Sequence, residues 1–167
     1  MAIDPHHAPI FIDRSGHPER LVLWIAICLG GGLILGYAFQ PDDWFRALAR
    51  PWYAPPDWVF AAVWSLLYPL MAYAMYRVER EGPSPEVTIA RRIFLAQLAL
   101  NFLWTPLFFG AHLVWVAFII TAGLLVAIAA TILAFEKIDV LAARLLVPYG
   151  AWVTFAAFLN AGYAFLN

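Results

Sequence analysis

Long apolar stretches without a charged residue dominate the chain and alternate with short polar or proline-rich connections. The stretches are residues 21–41, 58–76, 93–135 and 145–167. About 20 apolar residues cross a bilayer as a helix, so three of these stretches each hold one membrane span. Residues 93–135 are long enough for two helices, and Pro106 and Gly110 divide them. The pattern therefore predicts five transmembrane helices.

The predicted helices cover residues 20–39, 58–77, 92–110, 113–135 and 142–165, and the predicted fold class is an all-α integral membrane protein, a five-helix bundle spanning the lipid bilayer. Composition agrees, since 64% of the residues are hydrophobic and 13% are charged, against about 25% charged in soluble domains. Residues 1–19 are expected to form a disordered N-terminal tail, and residues 20–167 one transmembrane domain.

Basic residues are distributed unevenly between the two sides of this predicted topology. Of the 10 Lys and Arg residues, only Arg46 and Arg50 fall in the first connection, and the rest fall on the side of the N-terminus. The positive-inside rule then predicts a cytoplasmic N-terminus in a bacterial inner membrane, although an outer membrane stays open. The net charge of −1 is uninformative, but the sequence contains no basic tract that would indicate a nucleic-acid partner, so none is expected.

The first connection contains an unusual run of prolines and aromatic residues at positions 51–60, PWYAPPDWVF. Prolines restrict their own backbone and that of the preceding residue, so the run is expected to be stiff and non-helical. Such a segment either anchors the chain in the membrane interface or covers an apolar site. Ahead of it, residues 41–48 can form a short amphipathic helix, with Asp42 and Asp43 at its positive N-terminus.

Reactive side chains are scarce. The sequence shows no nucleophile–base pair, no paired carboxylates and no metal-binding cluster, so no catalytic residue and no metal site are predicted. The single cysteine, Cys28, is expected to be a small apolar residue in the first helix, and His112 a solvated loop residue. No ionisable residue lies in the middle of a span, which disfavours an ion-coupled transporter.

Aromatic and neutral polar residues mark one face on each of three predicted helices. They are Trp64 and Tyr68 on the second, Gln97, Asn101, Trp104 and Phe108 on the third, and Tyr149, Trp152 and Ala156 on the fifth. An amide inside lipid needs a partner, so these faces are expected to point into the bundle. Together they have the composition of a pocket for a large, flat, mostly apolar ligand. The alternative is that the amides only bridge helices and that tryptophans near span ends are interface anchors.

Four motifs resemble the TspO/MBR family, the tryptophan-rich sensory proteins and translocator proteins. These motifs are PWYAPP at 51–56, VWSLLY at 63–68, NFLWTPLFFG at 101–110 and VPYGAW at 147–152. The resemblance covers about residues 20–165. It implies a five-helix bundle, usually a homodimer, that binds porphyrins such as protoporphyrin IX and haem, cholesterol and benzodiazepine-type ligands, linked to tetrapyrrole regulation and stress responses. It implies porphyrin or haem as a ligand, and no cofactor is expected to be required.

The resemblance also assigns roles to particular residues. It implies a pocket lined by Trp64, Asn101, Trp104 and Trp152 beneath a lid formed by Trp52, Tyr53, Pro55 and Pro56. The chain departs from the family at Phe45, where several members have tyrosine. It also lacks the basic residue that would complete a sterol motif after Leu159 and Tyr163, so sterol recognition through that motif is not expected.

Three functions follow as hypotheses. The leading one is a porphyrin-binding membrane receptor or carrier. The second is an enzyme that degrades porphyrin in light through Trp64 and Trp152, the tryptophans that the resemblance associates with this photochemistry. The third is a signalling scaffold whose tryptophans are structural and which moves no ligand.

Overall fold

A computed structural model describes residues 17–167, which form five long helices and one short helix and contain no β-strand. The helices are α1 (Pro18–Ala38), α2 (Asp43–Ala47), α3 (Trp58–Glu79), α4 (Pro85–Gly110), α5 (Val114–Glu136) and α6 (Val140–Leu166). All except α2 are long and apolar enough to cross a membrane. The predicted class, an all-α membrane bundle with five spans, is confirmed.

The largest error in the predicted boundaries is the start of α4. We expected this helix to begin at residue 92, but it begins at Pro85, and only residues 80–84 connect it to α3. Ser84 caps it, since its Oγ accepts a hydrogen bond from the backbone N–H of Val87 at 3.2 Å. The prediction was wrong because it counted only uncharged residues, whereas the charged first turns of α4 continue the helix beyond its apolar part.

Smaller differences occur at other helix ends. The predicted tail, residues 1–19, lies mostly outside the described residues, but Pro18 and Glu19 already belong to α1. Helix α6 begins at Val140 rather than at residue 142, because Asp139 Oδ1 caps it by accepting the backbone N–H groups of Leu141 and Ala142. Leu146 interrupts α6 between Val140–Leu145 and Val147–Leu166.

Two helices contain a wider π-helical turn, Ala26–Gly30 in α1 and Pro106–Gly110 at the end of α4. Pro106 has no N–H to donate, which breaks the α-helical pattern there. The backbone N–H of Ala111 instead donates to the carbonyl of Pro106 at 2.8 Å. The turn that follows is tight, and His112 adopts a positive φ of 59°.

The long helices follow one another around the bundle in the order α1, α3, α6, α5, α4, and α4 closes the ring against α1. The packing is uneven along α6. Its first part, Val140–Leu145, packs against α3, whereas Val147–Leu166 packs mainly against α5 and touches α3 little. Helices α3 and α6 therefore diverge. We call the end with residues 39–57 and 111–113 the loop end, and the end with residues 80–84 and 137–139 the charged end.

Ion pairs and hydrogen bonds fasten the charged end. Arg77 on α3 pairs with Asp139, before α6, at 2.8 Å. Glu79 accepts a hydrogen bond from the Trp24 indole of α1 at 2.9 Å and lies 3.5 Å from Arg91 of α4. These contacts join α1, α3, α4 and α6, so the charged end is a fixed base for the bundle.

Candidate ligand site

Two hydrogen bonds between helices lie at the centre of the predicted site. The Tyr68 hydroxyl on α3 donates to Asn101 Oδ1 on α4 at 3.0 Å. The Tyr149 hydroxyl on α6 donates to Gln97 Oε1, also on α4, at 2.8 Å. Asn101 and Gln97 are buried, as an amide within a span requires. The predicted polar faces of α3, α4 and α6 therefore meet inside the bundle.

Aromatic rings surround these polar contacts on the α3 and α6 sides. Trp64 stacks on Tyr68 with ring centroids 4.9 Å apart and meets the edge of Tyr149 at 6.0 Å. One turn nearer the loop end, Trp152 contacts Phe60 at 5.6 Å and Phe155 at 5.4 Å. The rings pack on one another in this conformation, so a large ligand has to separate them.

Trp104 belongs to a neighbouring aromatic cluster rather than to this central group. It stacks on Phe108 at 4.9 Å, and its indole N–H donates to Asn160 Oδ1 at 2.9 Å. The Asn160 amide in turn donates to the backbone carbonyl of Val114 at 3.0 Å. Asn160 was not among the site residues predicted from the sequence. Its signal was present, because it lies four residues after Ala156 and eight after Trp152, on the same helical face.

Two buried N–H groups in this region have no hydrogen-bond partner among residues 17–167. They are Gln97 Nε2 and Trp152 Nε1. The Gln97 side chain uses its oxygen for Tyr149 and is only 1% exposed. Buried donors without a partner are uncommon in folded proteins because each carries the cost of its lost hydration. Both groups could donate to an acceptor atom on a bound ligand.

The predicted lid residues divide into two sets. Tyr53 turns towards the bundle, where its hydroxyl donates to the backbone carbonyl of Phe158 on α6 at 3.0 Å. Trp52 points outward and is 94% exposed, so its ring does not cover the aromatic core. Pro55 is half-buried, and its carbonyl accepts a hydrogen bond from Arg50, whereas Pro56 is exposed.

Helix α2 and His112 close the loop end. Asp42 caps α2, accepting the Phe45 backbone N–H at 3.0 Å through Oδ1, while its Oδ2 lies 3.0 Å from His112 Nε2. The cap and then the histidine lower the pKa of Asp42. His112 also stacks on Trp44 with centroids 4.0 Å apart. His112 is exposed, as expected, but its side chain contacts Asp42 and Trp44 and so connects the α4–α5 turn to α2.

Two cavities of about 350 Å³ each lie at the loop end, on either side of Leu48 and Tyr163. One is bounded by α2, His112 and the first turn of α5, and the other by residues 40–50 and Asp57. Both are separate from the aromatic core around Trp152. Among the described residues, no group of three His, Cys, Asp or Glu side chains could hold a metal ion.

Comparisons with known proteins agree with this architecture. Residues 24–166 match the sequence model of the TspO/MBR family. The chain is 39% identical over 137 residues to a tryptophan-rich sensory protein of Cereibacter sphaeroides, a match that covers 82% of this chain and 84% of that protein. It is 43% identical over 122 residues to the translocator protein of Sus scrofa, covering 70% of each. It is also 35% identical over 149 residues to the tryptophan-rich protein TspO of Chlorobaculum tepidum, covering 85% and 94%.

Proposed function

Because this chain belongs to the TspO/MBR family of multi-pass membrane proteins, we propose that it is a membrane receptor that binds a tetrapyrrole, such as protoporphyrin IX or haem. The ligand lies among α3, α4 and α6, between Trp64 and Trp152, with its polar atoms towards Gln97 and Asn101. It is a ligand of the receptor and not a cofactor that the fold requires.

The observation that carries this proposal is the pair of unpartnered donors, Gln97 Nε2 and Trp152 Nε1. A flat ligand with hydrogen-bond acceptors at its edge offers partners to such donors. A saturated hydrocarbon satisfies neither and leaves the desolvation cost in place.

The aromatic walls support the same ligand class. The stacked pair Trp64–Tyr68 and the ring of Trp152 offer extended π surfaces that can take a planar molecule between them. Because these rings close on one another in the structure, binding requires the helices or side chains to separate. Such sites, apolar with a few placed polar groups, are typical of ligand pockets in helical bundles.

A titration followed by the Soret absorbance of protoporphyrin IX tests the proposal with the full chain in lipid vesicles. Trp152→Phe keeps a ring and removes one donor, so we expect Kd to rise about fivefold. The combined variant Trp64→Phe, Trp152→Phe, Asn101→Ala is expected to weaken binding much further. Trp58→Phe is the matched control, because Trp58 is 71% exposed on the outside of α3. Wild-type affinity in the combined variant would contradict this location.

Orientation and assembly are further parts of the proposal. The excess of basic residues on the side of the N-terminus supports a cytoplasmic N-terminus. A homodimer is supported by the outward apolar face of α1, where Leu33, Ile34 and Tyr37 are exposed and Gly36 has open space around it. Labelling of single cysteines from either side of the membrane tests the orientation. The mass of the protein in detergent tests whether it is a homodimer.

A further inference from the structure

We propose that the candidate site opens sideways into the bilayer, through a portal between α3 and α6 that residues 51–53 close. We call residues 51–53 the plug. This inference rests on the proposed ligand site, but it concerns the route of entry and the role of the membrane. An apolar ligand dissolved in lipid would then reach Trp152 without passing through water.

The divergence of α3 and α6 creates the portal. The two helices pack together near the charged end, at Val140–Leu145, and separate towards the loop end. Phe60 on α3 and Trp152 on α6 meet across this separation at 5.6 Å between ring centroids. Aromatic ring contacts join the two helices beside the site, whereas the charged end has the Arg77–Asp139 ion pair.

The plug lies alongside α6 and below its end. The Tyr53 hydroxyl reaches the carbonyl of Phe158, and Pro51 and Tyr53 both approach Gly162. At 1.5 Å per residue, Phe158 is about 12 Å and Gly162 about 6 Å short of Leu166, the last residue of α6. Phe158 is 67% exposed, so its face of α6 meets lipid. The plug thus occupies the depth of the membrane boundary rather than the space beyond it.

Trp52 identifies the medium that surrounds the plug. Its neighbour Tyr53 is fixed against α6, and Trp52 projects the opposite way with 94% of its surface exposed. An indole gains from the headgroup region of a bilayer, where its apolar ring and its N–H are both accommodated. Trp58, the first residue of α3, lies six positions further along the chain and is also exposed, at 71%. The partner of this outer surface is therefore the lipid bilayer.

Few interactions hold the plug against α6, and each of them can be removed by a single substitution. Tyr53 contributes one neutral hydrogen bond, to a carbonyl of α6. Gly162 allows the close approach, because a Cβ there would overlap the Tyr53 hydroxyl and the Pro51 ring. Irregular backbone is tolerated at membrane depth when protein satisfies it, as Arg50 does for the carbonyl of Pro55. The contact is close enough to exclude lipid and weak enough to open.

Labelling of a cysteine at Ala156 measures opening without any porphyrin. Ala156 lies one turn after Trp152 on α6 and is half-buried. In a Cys28→Ala background, vesicles holding full-length Ala156→Cys protein are treated with lipid-soluble N-phenylmaleimide. Adding Tyr53→Phe removes the hydrogen bond and is expected to raise the labelling rate about fivefold. Gly162→Ala, which displaces the plug, is expected to raise it at least as much.

Matched controls separate opening of the plug from general loosening. Tyr37→Phe removes the hydroxyl of a tyrosine that is 82% exposed on α1, and Gly123→Ala adds a Cβ where nothing lies within 4 Å; both should label at the parent rate. Rates equal to the parent in both Tyr53→Phe and Gly162→Ala would overturn the portal. So would an equal acceleration with a charged, membrane-impermeant maleimide, which indicates entry from water. Because no porphyrin is used, failure here is distinguishable from failure of tetrapyrrole binding.

Discussion

His112 Nε2 and Asp42 Oδ2 lie 3.0 Å apart and join two segments that are 70 positions apart in sequence. Asp42 is the cap of α2, and His112 forms the tight turn between α4 and α5. The ring of His112 also stacks on Trp44 of α2. One side chain thus fixes the first connection to the opposite side of the loop end.

His112→Gly is expected to loosen the first connection without straining the turn. The backbone φ of 59° at His112 favours glycine, so the substitution relieves the backbone while removing the bond to Asp42 and the ring on Trp44. Amide hydrogen exchange of residues 42–48 should become faster, and that of α3 should not change. Unchanged exchange in residues 42–48 would mean that His112 does not hold α2 in place.

Asn160→Leu is expected to destabilise the bundle by about 2 kcal/mol, because it removes a buried amide that accepts from the half-buried Trp104 indole and donates to the Val114 carbonyl. The bond between Trp104 and Asn160 is 2.9 Å long, and Asn160 is 2% exposed. Adding Trp104→Phe removes the donor that has lost its acceptor. The double variant should therefore lose less stability than the two single variants lose in total. Unfolding in mixed micelles measures this cycle. Additive losses would show that the two side chains are not coupled.

Gly32→Ala is expected to disturb the site through Tyr68. A Cβ at Gly32 would overlap the Tyr68 ring, which carries the bond to Asn101. Both thermal stability in detergent and affinity for protoporphyrin IX should fall. Gly30→Ala is the matched control on the same helix, with nothing within 4 Å of the added Cβ, and it should change neither. Equal effects of the two substitutions would point to a general response of α1 instead.

Asp139 makes the charged end sensitive to acid. Burial raises the pKa of Asp139, but the Ala142 N–H and then the Arg77 guanidinium outweigh burial and lower it below its usual value. A lowered folded-state pKa gives stability that is present above about pH 4 and lost as the pH falls through the folded value. Asp139→Asn, which keeps a capping oxygen, should cost about 2 kcal/mol at neutral pH.

Thermal unfolding between pH 3 and pH 7 measures this effect. The Asn variant should lose less stability in acid than the parent, because its side chain does not titrate. Glu136→Gln is a suitable control, since Glu136 is exposed at the same end of the bundle. Parallel curves for Asp139→Asn and the parent would show that another group causes the loss in acid.

Sequence patterns predicted the inward faces because the membrane leaves few choices. Asn101 and Gln97 had to find partners inside the bundle, and the aromatic residues at helical spacing on α3 and α6 supplied them as Tyr68 and Tyr149. The start of α4 was missed for the opposite reason. Charged residues there end the apolar stretch but not the helix, since Ser84 and Pro85 start it earlier.

Contacts of the loop end were not readable from the sequence. Tyr53 bonds to a backbone carbonyl on α6, and any residue at 158 would offer the same acceptor. The pairing of Asp42 with His112 depends on how the loop end folds, and no local pattern encodes it. Trp52 points outward because its neighbour Tyr53 is held inward by the bond to α6. Side chains in irregular segments take their directions from such tertiary contacts, not from a period.

The interruption of α6 at Leu146 divides the helix into a part fixed to α3 and a longer part that can tilt. Val140–Leu145 is bound to α3, whereas Val147–Leu166 is free of it for most of its length, so Leu146 is a natural pivot. Gly162 lies about 24 Å from this pivot along the helix axis. A tilt of about 10° there would move Gly162 by about 4 Å, roughly the thickness of a flat aromatic ring. A small rotation near one membrane surface would thus admit or retain a planar molecule near the other.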